Sequence, residues 1–273
     1  MIIAVDTGGT KTLIASFDET GNKTILGRIP TPPETNDYIR EVTEIIAQAV
    51  QISNIDAITI AVPGMVENGV AIWCVNIGPS GWNNFHIVDK MKKHFPGVPI
   101  FLENDANLGG ISEVRSRSNP PEACLYVTVS TGIGGGFIVN KKIDPGLRHS
   151  EIGWAMLEYD GVIQRWEDFA SGRAIANSYG KLAENITTKR DWQRISNRIS
   201  RGFLAIIPAF RPELIIIGGS IGIYFERYGD ILSRILNEQL PEHVPRPKIE
   251  QANHPDEAVI YGCYYHTIDQ LNP

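Results

Sequence analysis

Two stretches of this chain follow one design. Residues 1–21, MIIAVDTGGTKTLIASFDETG, run from small apolar residues through one carboxylate into Thr-Gly-Gly-Thr-Lys and out into a second apolar stretch. Residues 123–146, ACLYVTVSTGIGGGFIVNKKIDPG, do the same around Ser-Thr-Gly-Ile-Gly-Gly-Gly. Strand, glycine turn and strand spell a hairpin, and glycines let a bulky ligand approach the main chain. Gly8 and Gly9 equally suit a plain hairpin that only reverses the chain. A second copy of the design predicts a duplicated lobe, each lobe turning one glycine loop toward a shared cleft.

A length of 273 residues accommodates two lobes of roughly 100 to 150 residues. With 42% hydrophobic and 21% charged residues and a net charge of -6, the composition is that of a soluble globular protein and disfavours nucleic-acid partners. No apolar run approaches the roughly eighteen residues of a membrane span, and MIIAVD lacks the basic flank of a secretion signal. Cys74, Cys124 and Cys263 lie in apolar stretches without a CxxC pair, so they read as reduced core residues of a cytoplasmic protein. The scattered histidines indicate no metal cage.

The first half alternates strands (IIAVD, LIASF, AITIAV, PIFLE) with helices (DYIREVTEIIAQAVQ, IVDKMKKHF), the pattern of an α/β sheet with crossover connections. Residues 31–37 and 114–123 are polar and proline-rich and read as loops, the second as a lobe boundary. SGRAIANSYGKLAENI and RDWQRISNRISRGFLAIIPAF carry apolar residues at helical spacing. LIIIGGSIG reads as a buried strand with a third glycine turn, GDILSRILNEQL as a helix, and EAVIYGCYYHTIDQ as a closing apolar helix.

Three glycine turns together suggest a nucleotide: backbone N–H groups of Gly8 and Gly9, and of Thr131 and Gly132, would face phosphates, with Gly218 and Gly219 at the adenosine end. Asp6, at the end of the first strand, can hold Mg²⁺ through water. Thr10 offers a hydroxyl and Lys11 a point charge for phosphate. In ENDAN, residues 103–107, Asp105 is either a helix cap or the base that accepts a substrate hydroxyl's proton in phosphoryl transfer, and Asn104 would hold a neighbouring hydroxyl. Competing motifs fail: the glycines after Gly132 run into β-rich sequence rather than a helix, and no P-loop is present. GxSxG at 218–222 lacks the preceding core strands of a hydrolase.

As a set, DTGGTK (6–11), VPG (62–64), ENDAN (103–107), STGIGGG (130–136) and IIIGGS (215–220) resemble the ROK family of sugar kinases, glucokinase-like members of the actin-like ATPase superfamily. The resemblance implies a two-lobed ribonuclease H-like α/β fold with an interlobe cleft. Its lobes would be residues 1–113, joined by a C-terminal helix at 256–268, and residues 114–255. It implies ATP and Mg²⁺ as cofactors, a small sugar as substrate, Asp105 as general base, and Asn104, Glu151 and Glu167 on sugar hydroxyls. Gly64 and Asn76 would also face the sugar. From the residues alone, Glu151 and Glu167 read equally as solvated loop carboxylates. Relatives commonly carry a histidine where this chain has Trp154, and a cysteine-rich zinc segment before the second glutamate; neither is present, so zinc is not expected. His149 is a substitute sugar contact or a plain surface histidine. The resemblance leaves open the sugar, the donor (ATP or polyphosphate), a noncatalytic sensor role, and a monomer or homodimer.

Overall fold

The structure is a computed structural model that describes residues 1–74, 76–78, 81–254 and 257–272. The expected lobe limits at 255 and 256 lie outside the described residues. The chain divides into two compact units, residues 1–112 with 257–273, and residues 113–256.

In the first unit, strands β1 (Ile2–Thr7), β2 (Lys11–Phe17) and β3 (Lys23–Pro30) form an antiparallel meander. Helix α1 (Thr35–Ala49) then leads to β4 (Ala57–Val62). A small antiparallel sheet follows, β5 (Met65–Glu67), β6 (Val70–Cys74) and β7 (Trp82–Phe85), then α2 (Ile87–His94), β8 (Ile100–Asn104) and α3 (Asp105–Arg115). The main sheet has the order β3-β2-β1-β4-β8, with β1, β4 and β8 parallel.

The second unit repeats this order. Strands β9 (Ala123–Val129), β10 (Ile133–Val139) and β11 (Lys142–Ile143) are antiparallel. A hairpin, β12 (Met156–Tyr159) and β13 (Val162–Arg165), precedes the helices α4 (Trp166–Ala170), α5 (Gly172–Tyr179) and α6 (Lys189–Phe210). Then come β14 (Leu214–Gly218), α7 (Gly219–Gly222), α8 (Gly229–Gln239) and β15 (Lys248–Gln251), completing the sheet β11-β10-β9-β14-β15. Helix α9 (Ala258–Leu271) returns to the first unit. Three antiparallel strands followed by parallel neighbours, twice over, is the ribonuclease H-like arrangement.

Each sheet is covered by apolar side chains from its helices. Val42 and Ile46 of α1 and Met91 of α2 join Ile3, Val5, Ile58 and Ile60 in one core. On the other face Ile260 and Cys263 of α9 pack with Ala4, Ala15, Ala61 and Leu108. A Cβ at Gly262 would meet the Leu108 carbonyl oxygen at 2.0 Å, so only glycine lets α9 lie this close to α3. All three cysteines are buried and unbridged, as core thiols should be.

The structure departs from the sequence reading at several places, among them three expected elements. Helix α3 starts at Asp105 and continues to Arg115, into the expected loop at 114–123. The single helix expected over SGRAIANSYGKLAENI stops at Tyr179, because Gly180 takes a left-handed conformation (φ 63°) that ends α5. The glycine-rich run of the second hairpin is mostly strand: the turn is residues 130–132, and Gly135 lies within β10, where a Cβ would meet Ile152 Cδ1 at 2.3 Å.

A fully buried carboxylate organises the stretches beside the two chain passages between units. Glu113 accepts the N–H groups of Asn253 (2.7 Å) and His254 (2.7 Å), and the Arg117 guanidinium at 3.0 Å pairs with it. Arg117 also reaches Glu250 at 3.1 Å. Removing the Glu113 carboxylate leaves two amides without their acceptor and Arg117 with Glu250 as its remaining carboxylate partner. Glu113→Ala should therefore cost about 3–5 kcal/mol of stability, read as a lowered urea midpoint; a change under about 1 kcal/mol would contradict this account.

Candidate functional site

The carboxyl edge of the first sheet gathers most of the expected residues of that unit. Asp6 of β1 aligns with Ala61 of β4, and Ala61 with Glu103 of β8, so the loops leaving these parallel strands start at one level. Ligands of open α/β sheets gather at such edges. The first glycine turn is closed by Gly8 N–H donating to the Lys11 carbonyl (2.9 Å), leaving Gly9 and the exposed Thr10 at its tip. Thr31 braces it: its N–H donates to the Thr10 carbonyl (3.0 Å) and its hydroxyl to the Gly8 carbonyl (2.7 Å). A Cβ on Gly9 would meet the Asn76 carbonyl oxygen at 2.5 Å. The turn thus lies against the loop that carries Asn76, whose own residue is exposed.

Gly64 has φ 150°, and a Cβ there would strike the Trp73 carbonyl oxygen at 2.1 Å, so the position admits only glycine. Its carbonyl accepts from the Asn104 side-chain amide (3.0 Å). The Asn104 side-chain oxygen meanwhile accepts the N–H groups of Ala106 (2.8 Å) and Asn107 (3.1 Å), which makes Asn104 the cap of α3. Asp105, half-buried, is the first residue of that helix and also receives the Ala106 N–H at 2.8 Å. Beneath them Glu103 is fully buried and accepts from Asn107 Nδ2 (3.0 Å) and the Asn104 N–H (2.9 Å).

In the second unit Ser130 is the hub. Its carbonyl accepts the Gly172 N–H (2.7 Å), its hydroxyl accepts the Ser220 N–H (2.9 Å), and its N–H closes the turn onto the Gly132 carbonyl (2.9 Å). Thr131 is exposed at the tip. Gly219 has φ 79°, and a Cβ there would meet Ser130 Oγ at 2.6 Å; Gly218 is pressed on the Tyr126 ring. Thus the second and third glycine turns are one structure, joined through Ser130.

Glu167 joins the same assembly. Its Oε2 accepts the Ile133 N–H at 3.2 Å and would lie 2.6 Å from a Cβ on Gly132. Glu151 stands at the start of the 3-10 turn Ile152–Trp154. Lost hydration raises its carboxyl above the usual range, and the neighbouring charge of Glu167 adds to the effect. His149 is exposed.

The sequence pointed to neither Thr31 nor Ser130 as a site residue. Thr31 sat in a segment read as a loop, and Ser130 was one polar residue of a turn; a hydroxyl beside each glycine turn was the available signal.

A Cβ on Gly9 or Gly219 would run into the Asn76 carbonyl or Ser130 Oγ, so each turn packs tightly on its neighbouring segment. Two charged groups bear on the fit to a magnesium nucleotide. Lys11 provides a cation close enough to act on Asp6. Asp6 itself provides a carboxylate suited to a metal that keeps most of its waters. Among the described residues no group of three or more His, Cys, Asp or Glu side chains is placed to hold a metal ion.

Burial pushes the Asp6 carboxyl up to about 6, with Lys11 opposing the shift. A native-state value above the unfolded one of about 3.9 means that folding takes up a proton between those values, so this group's contribution to stability falls as pH rises from about 4 to about 6. Asp6→Asn should therefore be more stable than the parent at pH 7 by about 2–3 kcal/mol, the difference vanishing toward pH 4. Denaturant titrations at the two pH values test this, and equal stability at pH 7 would refute it.

A profile of the ROK family matches residues 2–269. A glucokinase of Streptomyces coelicolor is 29% identical over 203 residues, 70% of this chain and 62% of that protein, so the match spans less than two thirds of the glucokinase. An N-acetylmannosamine kinase of Yersinia pestis is 27% identical, with 96% of each chain covered. The crystal structure of an inorganic polyphosphate/ATP-glucomannokinase from Arthrobacter sp. strain KM matches with a TM-score of 0.73 and 27% identity over 98% of each chain.

Proposed function

The chain belongs to the ROK family, and we propose that it is an ATP- and Mg²⁺-dependent sugar kinase of glucokinase type, moving a γ-phosphoryl group to the primary hydroxyl of a hexose. The observation that carries this reading is the Asn104 side chain. It caps α3 and holds the Gly64 carbonyl, so the helix does not depend on Asp105 for its cap.

Asp105 then serves as the base that takes the proton of the attacking hydroxyl. Asn104, with one amide hydrogen beyond its bond to Gly64, and the loops of Gly64 and Asn76 orient the sugar. Glu167, already an acceptor of one backbone N–H, and Glu151 take sugar hydroxyl donors. His149 stands two residues before Glu151 and is open to the same ligand. The turns at Gly8–Thr10, Thr131–Gly132 and Gly218–Gly219 are assigned to the nucleotide, with Asp6 holding Mg²⁺ through water and Lys11 pairing with phosphate. When bound, MgATP supplies the phosphoryl group and the positive charge that offsets its oxygens. What the chain contributes is positioning and a prepared acceptor for one proton, the main sources of rate in phosphoryl transfer.

The donor has a second reading. The likeness to the polyphosphate/ATP-glucomannokinase favours trying polyphosphate, for which the same phosphate turns would serve.

A coupled assay of glucose, mannose, fructose, N-acetylglucosamine and N-acetylmannosamine with ATP, repeated with polyphosphate, tests the function. Turnover is expected with ATP and at least one hexose. Tight sugar binding without phosphorylation of any member would mean a sensor instead. With the sugar that turns over, Asp105→Asn should keep sugar binding and lower kcat by about 10²-fold or more; full turnover would remove Asp105 from the mechanism.

A further inference from the structure

Glu167 is held in an unusually complete way for a carboxylate assigned to a sugar. Arg165, at the junction of β13 and α4, lies with its guanidinium 4.6 Å from the centre of the Trp154 ring. Its Nε and one terminal nitrogen meet the two oxygens of Asp168 at 2.9 and 2.6 Å, a forked contact. Its other terminal nitrogen is 3.2 Å from Glu167 Oε1. Because Glu167 Oε2 accepts the Ile133 N–H, both oxygens of this carboxylate are fixed, and its side chain is only 11% exposed. A planar fork stacked on an aromatic face is a role that arginine fills and lysine does not.

We propose that Arg165, pinned between the Trp154 ring and Asp168, is a positioning residue that fixes Glu167 as a hydrogen-bond acceptor for the sugar. The proposal rests on the reading that Glu167 meets the sugar, and it adds what sets that side chain's orientation. Without the clamp Glu167 would regain rotamer freedom, which sugar binding would then have to remove. The charges around Glu167 are Arg165 and Asp168 of its own turn and Glu151 ahead of the 3-10 turn; Arg173 of α5 acts on Asp168, and Arg198 of α6 reaches the Phe169 carbonyl. Of these, Arg165 is the cation paired with Glu167.

The test uses the full chain, the same five sugars as probes, and the variants Glu167→Gln, Arg165→Gln, Arg165→Lys and Trp154→Leu. Arg165→Gln should raise the KM of the sugar that turns over by about tenfold, with kcat and the KM for ATP changed far less. Arg165→Lys should restore little of the KM, because the planar fork on Asp168 and the stack on the Trp154 ring are lost although the charge is kept. If Arg165→Gln does not fold, Trp154→Leu carries the same split, with a sugar KM raised about threefold and the ATP KM unchanged. Two outcomes overturn the proposal while leaving the kinase reading intact: Glu167→Gln raises the sugar KM but Arg165→Gln does not, or Arg165→Gln raises the ATP KM as much as the sugar KM. If Glu167→Gln leaves every sugar KM unchanged, the assignment of Glu167 itself fails, and this proposal with it.

Discussion

One side-chain amide ties together the carboxyl edge of the first sheet. Asn104 donates to the Gly64 carbonyl and accepts two amides of the first turn of α3. Through it the end of β8, the loop after β4 and the start of α3 become one rigid piece. Beneath it, buried Glu103 accepts from both the Asn104 main chain and the Asn107 side chain. A helix start would otherwise leave amides unsatisfied, and a loop residue at φ 150° would have little reason to hold its place. Asp105, the first residue of α3, inherits its position from these neighbours.

The two units use the same strand order and differ in what stands at the glycine turn. In the first, the turn is latched by Thr31, and its nearby ionisable groups are Asp6 and Lys11. In the second, Ser130 joins the turn to α5 and α7, and a carboxylate, Glu167, takes the Ile133 amide. An amide already spent on Glu167 is not available to an anion. The first turn likewise closes with its Gly8 N–H on the Lys11 carbonyl, so the exposed Thr10 and Thr131 mark the two tips.

Much of this was legible in the sequence because it is carried by local, repeated signals. Strand, glycine turn, strand occurs twice, and the buried strands AITIAV and LIIIG are unbroken apolar runs. The sequence was silent where the cause lies far away along the chain. The small sheet β5-β6-β7 has short strands with few buried positions, so no alternation marks it. The hairpin β12-β13 exposes Met156, Val162 and Ile163, which looks like neither a strand face nor a core. Asp105 read equally as a cap or a base because the sequence does not say whose oxygen meets the helix amides; in the structure Asn104 takes the amides of Ala106 and Asn107, and Asp105 shares the first of them. Arg165 had no motif at all, since its meaning comes from Trp154, eleven residues earlier in the chain, and from the Ile133 amide on another strand.

Three acidic groups are handled in three different ways. Glu113 is buried with a cation and two amides, so its burial is compensated and serves the fold. Glu167 has both oxygens engaged, one by Arg165 and one by the Ile133 amide, and keeps lone pairs to spare. Asp6 is pushed up to about 6 by burial that Lys11 only partly offsets. Of the three it is the group whose burial the chain compensates least, which is why replacing it by its amide should raise stability at neutral pH rather than lower it.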